Sequence, residues 1–216
     1  MLDEAREIAL ALSAEFRKTT EGKGVPVGEL VEEGVPFRRI IEDMRSHDLL
    51  VIGKEPHFFY NKPERKTSTL SNVVRSCAAP ILVVPEKYRE TKKVMMAFDG
   101  NDPSTRAIRF FLALQPFGPD VKMDIVYVDD NPEEGDNEEQ NAHKMGELVS
   151  AHGFESEVHI LRDGNVTDRL IEHAEKAQAD LIVAGAHAVS SLRAFAFGST
   201  TKELLDRCPI AMFMYR

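Results

Sequence analysis

The residues in this sequence best suited to chemistry lie between Asp180 and Lys202, in DLIVAGAHAVSSLRAFAFGSTTK. Gly185 closes a short apolar run, Leu181 to Ala184, and Gly198, Ser199 and Thr200 stand just ahead of a helical pattern, Lys202-Glu203-Leu204-Leu205. A helix head carries backbone N–H groups with no intrahelical acceptor, together with the positive end of the helix dipole. Both attract phosphate or another anion. Gly198 lets the backbone approach such a ligand, while Ser199 or Thr200 can cap the helix or bond a phosphate oxygen. His187 and Arg193 fall inside the intervening loop, where each either reaches the anion or faces solvent. For Gly185 and Gly198 the plainer reading is ordinary turn glycines, and spacing alone does not separate the two.

Such a site needs strands to carry it, and the chain supplies them in two unequal runs. Residues 93–216 read as strand Val94–Phe98, a turn at Asp99-Gly100-Asn101-Asp102-Pro103-Ser104 and helix Thr105–Leu114. Strand Met123–Val128 follows, then a helix ending near His152, strand Ser156–Leu161, helix Asn165–Ala177, the stretch above and a last strand, Ile210–Tyr215. Strands alternating with helices at this spacing predict a parallel sheet covered by helices on both faces. Residues 1–86 read as an amphipathic helix over 1–20 whose apolar stripe (Ile8, Leu12, Phe16) should turn to a sheet. A strand at Val27–Glu32, helix Pro36–Arg45, strand Asp48–Gly53, helix Thr67–Ser76 and a closing strand, Pro80–Pro85, complete that run. The charged stretch 86–92, EKYRETK, is a linker.

The runs repeat each other. GVPFRRIIEDMRSHDLLVIG, ending at Gly53, parallels GNVTDRLIEHAEKAQADLIVAG, ending at Gly185, and Cys77-Ala78-Ala79-Pro80-Ile81 answers Cys208-Pro209-Ile210. A period of about 130 residues is too long for a solenoid and indicates tandem domains. Nothing in 1–86 matches strand Val94–Phe98, helix Thr105–Leu114 or strand Met123–Val128. The first copy must therefore close up its sheet, borrow strands from another chain or be an incomplete unit.

Written as Gly185-x2-Ala188-x9-Gly198-Ser199, the glycine stretch resembles the nucleotide-binding signature of the universal stress protein family, G-x2-G-x9-G-[ST], with Ala188 in place of the second glycine. The resemblance extends over the whole chain, as a partial domain at 1–86 and a complete one at 93–216. It implies a five-stranded parallel α/β sheet in the order 3-2-1-4-5, of the adenine-nucleotide hydrolase type, with ATP as ligand and Mg²⁺ as the ion ATP brings. AFDGNDPSTRAI resembles the family's first strand end, which makes Asp99 the contact to adenosine, with a turn and helix cap as its other reading. The resemblance further points to Val128 as lining the adenine pocket, and to Gly185, Ala188, Gly198, Ser199 and Thr200 as ribose and phosphate contacts. If the family's second glycine has positive φ, Ala188 costs about 1 kcal/mol, roughly fivefold in affinity. The first copy has Pro56 soon after Gly53 and Thr67 in place of Gly198, so no nucleotide is expected there. The family also joins its domains edge to edge through their last strands, here Pro80–Pro85 and Ile210–Tyr215, within a chain or in a homodimer.

Composition narrows the function further. The 216 residues, 43% hydrophobic and 29% charged, suit a soluble globular protein. A net charge of −9 argues against nucleic acid or an anionic membrane as the main partner. The N-terminal stretch is acidic and helical rather than a secretion signal, and no apolar run is long enough to span a bilayer, so a cytoplasmic location is expected. Cys77 and Cys208 read as small buried residues, and Met95, Met96, Met212 and Met214 as core filling. Asp129 and Asp130 are the carboxylates available to Mg²⁺, or else begin a solvated acidic loop that includes Glu133 to Glu139; His143 and His173 are expected on helix surfaces. There is no nucleophile elbow, HExxH or Walker lysine. Function by occupancy is therefore expected, with any ATP hydrolysis slow. The competing expectation is an interaction or dimerisation scaffold that has lost its ligand.

Overall fold

The computed structural model describes residues 2–54, 69–129, 135–186 and 199–216. Its strands are β1 (Leu50–Gly53), β2 (Ile81–Val84), β3 (Lys93–Phe98), β4 (Lys122–Asp129), β5 (Ser156–Arg162), β6 (Leu181–Gly185) and β7 (Ala211–Tyr215). The helices are α1 (Leu2–Thr20), α2 (Pro36–Asp43), α3 (Thr69–Ser76), α4 (Asp102–Leu114), α5 (Gly135–Ala151), α6 (Val166–Lys176) and α7 (Ser199–Arg207). The strands form one sheet in the order β1-β2-β7-β6-β3-β4-β5. Every neighbouring pair is parallel except β2–β7. Taken alone, β3 to β7 have the expected order 3-2-1-4-5. The five-stranded expectation is corrected to seven, because β1 and β2 extend the same sheet.

The join is the edge pairing anticipated from the sequence, and it is made within the chain. β2 and β7 run antiparallel with Ile81 opposite Met214, Leu82 opposite Phe213 and Val83 opposite Met212. Each strand already has a parallel neighbour on its other side, β1 or β6. Neither edge is left for the second copy that the homodimer expectation required.

Side chains alternate between two apolar layers, as strands covered on both faces require. One layer contains Val94, Met96, Phe98, Ile125 and Phe213 with Phe111 of α4 and Val149 of α5. The other contains Met95, Val126, Val128, Ile182 and Met212 with Leu170 of α6, Leu204 of α7 and Val73 of α3. The methionines are core filling, as expected. Both cysteines lie in the second layer, unpaired and at most 2% exposed. Burial pushes both thiols above the ordinary cysteine value. In the native protein at pH 8 they are expected to react with a disulfide probe many times more slowly than a free thiol, and to react at once in denaturant. Rapid native labelling of either residue would contradict this packing.

Two expectations for the first half are overturned for one reason. Val27–Glu32 forms no strand, and the stripe of α1 stays exposed, with Leu12 at 51% and Phe16 at 59%. Their counterparts in the second half are β5 and α5. There β5 hydrogen-bonds to β4 and α5 lies against β4 and β5. Among its described residues the first half has no equivalent of β4, so Val27–Glu32 has no ladder to join and α1 no sheet face to cover.

Candidate functional site

The switch in strand order falls between β3, whose chain leads out to β4, and β6, which returns on the other side. Such a crevice at the carboxyl ends of the strands is where an open α/β sheet takes a ligand. Asp99 follows β3 and is exposed. Its Oδ1 accepts from Ser104 Oγ at 2.6 Å and from the Asn101 backbone N–H at 3.1 Å. Ser104 Oγ also lies 2.9 Å from the Asn101 carbonyl oxygen and accepts from the Asp99 N–H at 3.4 Å. This is a turn that fixes the head of α4, with Gly100 supplying the positive φ of 76°. Val128 lies one position beyond the Phe98–Tyr127 pair, beside Asp99 on the adjacent strand.

Gly185 ends β6 directly beneath the first turn of α4. A Cβ there would stand 2.5 Å from the Ser104 backbone nitrogen and 2.8 Å from the Pro103 carbonyl carbon. Close packing of helix on strand therefore requires a glycine at this position whether or not a ligand binds. The Gly185 carbonyl accepts from Thr201 Oγ1 of α7 at 3.4 Å, and Thr201 is 4% exposed. Asp99, Ser104, Gly185 and Thr201 thus link the ends of β3 and β6 to the heads of α4 and α7. Ser104 and Thr201 were not singled out from sequence. Their signal was available: each is a hydroxyl residue in the first turn of a helix that follows a strand ending at the crevice.

α7 begins at Ser199, where the helix head was expected, and Thr200 is half-buried in its first turn. His187, Ala188, Arg193 and Gly198 lie outside the described residues, as does Asp130. Asp129 is not part of a solvated loop. Its side chain is 1% exposed, and Oδ2 takes Arg162 at 3.3 Å, whose other nitrogen bonds Glu139. His143 is exposed as expected, but His173 is not a free surface residue. It is half-buried, with its ring centroid 4.7 Å from that of His159. Burial, then the neighbouring His159, hold its pKa below the ordinary histidine value.

Comparison with known proteins agrees with this architecture. The universal stress protein family profile matches residues 90–216. A universal stress protein of Synechocystis is 27% identical over 207 residues, covering 94% of this chain and 70% of that protein. Among solved structures, a universal stress protein from Archaeoglobus fulgidus superposes with a TM-score of 0.75 at 21% identity, over 99% of this chain and 80% of that one. A Pseudomonas aeruginosa structure described as a putative universal stress protein gives 0.65 at 16% identity, over 95% and 77%. At these identities the structural likeness speaks for the fold. No helix among the described residues is long and apolar enough to cross a membrane.

Proposed function

The chain belongs to the universal stress protein family, and from that premise we propose that its second half binds an adenine nucleotide, ATP, and acts in stress signalling through occupancy. The units are 1–86, without a nucleotide, and 93–216, which carries the site; the protein works in the cytoplasm without nucleic acid. Asp99 orients the ribose or adenine, the end of β4 at Val128 borders the base, and the head of α7 with Gly198, Ser199 and Thr200 takes the phosphates. Gly185, His187 and Ala188 border the path between them. The observation that carries this reading is the exposed carboxylate of Asp99 at the crevice between β3 and β6, tied through Ser104 and Gly185 to the head of α7. A carboxylate there gives orientation, while the backbone donors of a helix head give most of the affinity. The chemistry expected is slow at best, because among the described residues no general base stands beside the phosphate position.

Calorimetric titration tests the reading. The wild type is expected to take up one equivalent of ATP, and Gly198→Val to weaken it by at least about 100-fold, or 2.7 kcal/mol. Amide exchange over 186–197 is expected to slow when ATP is present. No heat of binding at millimolar ATP would favour the second reading, a ligand-free scaffold. One observation already favours that alternative: Asp99 Oδ1 and Gly185 both have complete structural roles in holding α4.

A further inference from the structure

At the opposite end of β4 from Val128, the apolar layer under α6 is interrupted by three polar side chains. Asp124, Val126 and Val128 share one face of β4, and the two valines pack in that layer with Leu170 and Ala174 of α6. Asp124 takes a place in the same row and is 4% exposed. His159 of β5 stands opposite Val126 in register, diagonal to Asp124 on that face. His173 comes down from α6, one residue before Ala174. A carboxylate oxygen and one nitrogen from each imidazole lie within 4.8 Å of one another.

His159 Nε2 and His173 Nε2 are sealed from solvent and have no hydrogen-bond partner among the described residues, while Asp124 Oδ2, equally sealed, is met by Lys93 Nζ at 2.8 Å. A buried polar group left unbonded costs about 1–3 kcal/mol, so two such nitrogens facing one buried carboxylate need a common explanation. The separation of His159 Nε2 from Asp124 Oδ2, 3.6 Å, is too long for a hydrogen bond. It is close to the spacing of two ligands on one ion, since bonds of about 2.0–2.2 Å in a tetrahedron set ligand atoms about 3.4 Å apart. We propose that Asp124, His159 and His173 bind a divalent transition-metal ion of the zinc type, separately from the nucleotide. Two imidazoles and one carboxylate are ligands for Zn²⁺, Co²⁺ or Ni²⁺ rather than the all-oxygen sets of Mg²⁺ and Ca²⁺.

The surroundings supply a further ligand and a counter-charge. The Glu157 side chain is 71% exposed and its Oε2 lies 3.7 Å from His159 Nε2, so Glu157 stands between the group and solvent and can fill the fourth position in place of water. Lys93 Nζ sits 2.8 Å from Asp124 Oδ2 and balances the carboxylate without the metal. Its side chain is 31% exposed, and the ammonium can swing to water as the ion enters. Val128 is about 13 Å further along β4, at roughly 3.3 Å per residue, so the metal and the nucleotide do not share ligands.

The test is a titration of the untagged full-length chain, stripped with chelator and free of nucleotide, with Co²⁺ followed by its visible d–d absorption. One saturable equivalent, displaced by Zn²⁺, is expected. His159→Gln and His173→Gln are each expected to weaken it by more than about 100-fold, beyond what losing an outer partner costs, with His143→Gln unchanged. Asp124→Asn, which preserves side-chain size, is the second route should a histidine variant fold poorly, and it too is expected to lose the ion. No saturable band at millimolar Co²⁺, or a band that survives these substitutions, would overturn the assignment. Since no ATP is present, either result leaves the nucleotide reading to its own titration.

Discussion

Phe213→Ala is expected to lower stability by about 3–5 kcal/mol, a fall in melting temperature of about 10–15 °C for a chain of this length. Phe213 is fully buried on β7, and its ring meets Phe111 of α4 edge-on, with centroids 5.2 Å apart. Its backbone pairs with Leu82 on one side and Val183 on the other, so it lies at the joint between the two halves of the sheet. An alanine leaves a cavity that neither strand can close without breaking a ladder. The near-ultraviolet signal of the aromatic core and the far-ultraviolet helix signal are expected to shift together, because the sheet is shared. Leu30→Ala, at a position 67% exposed, is the control and should stay within about 0.5 kcal/mol of wild type. A Phe213→Ala loss below 1 kcal/mol would mean that the joint is not packed as described.

Gly185→Val is expected to cost about 3 kcal/mol, at the upper end for overpacking, because the atoms it strikes are backbone and cannot rotate aside. Relief requires the first turn of α4 to lift off β6, and Ser104 would carry the Asp99 carboxylate with it. Stability and ATP affinity should therefore fall together. This separates the two reasons for the glycine. Were Gly185 present only to admit a ligand, the apo protein would melt unchanged and binding alone would suffer. Urea unfolding of the apo variant, compared with its calorimetric titration, distinguishes these outcomes.

Much of the framework was legible because periodicity reports local demand for burial. The runs Leu181–Gly185 and Leu50–Gly53, the repeated Cys-to-Ile segments and the glycine-ended strands gave the succession of elements, while the β2–β7 joint followed from the family resemblance. Periodicity does not say whether a surface exists to meet that demand. Leu12 and Phe16 have a proper amphipathic pattern yet lie exposed, since the sheet face that α5 covers in the second half has no counterpart among the described residues of the first. Asp129 misled because it adjoins an acidic run, while its burial depends on Arg162, a neighbour only through the β4–β5 register. The Asp124, His159 and His173 group was invisible for the same reason. Each residue stands alone in its element, and only the diagonal across β4 and β5 and the approach of α6 unite them. At the crevice, the strand ends and helix head were anticipated, but Ser104 and Thr201, which tie them together, appear only once α4 and α7 are placed.

The antiparallel seam between β2 and β7 has a consequence for behaviour at low abundance. Two separate chains meeting along such an edge fall apart once their concentration drops below the dissociation constant. Here a short tether, residues 86–92, holds the partners at an effective concentration in the millimolar range. Dilution should leave the seam closed, and a cell holding very few copies would still hold each one assembled.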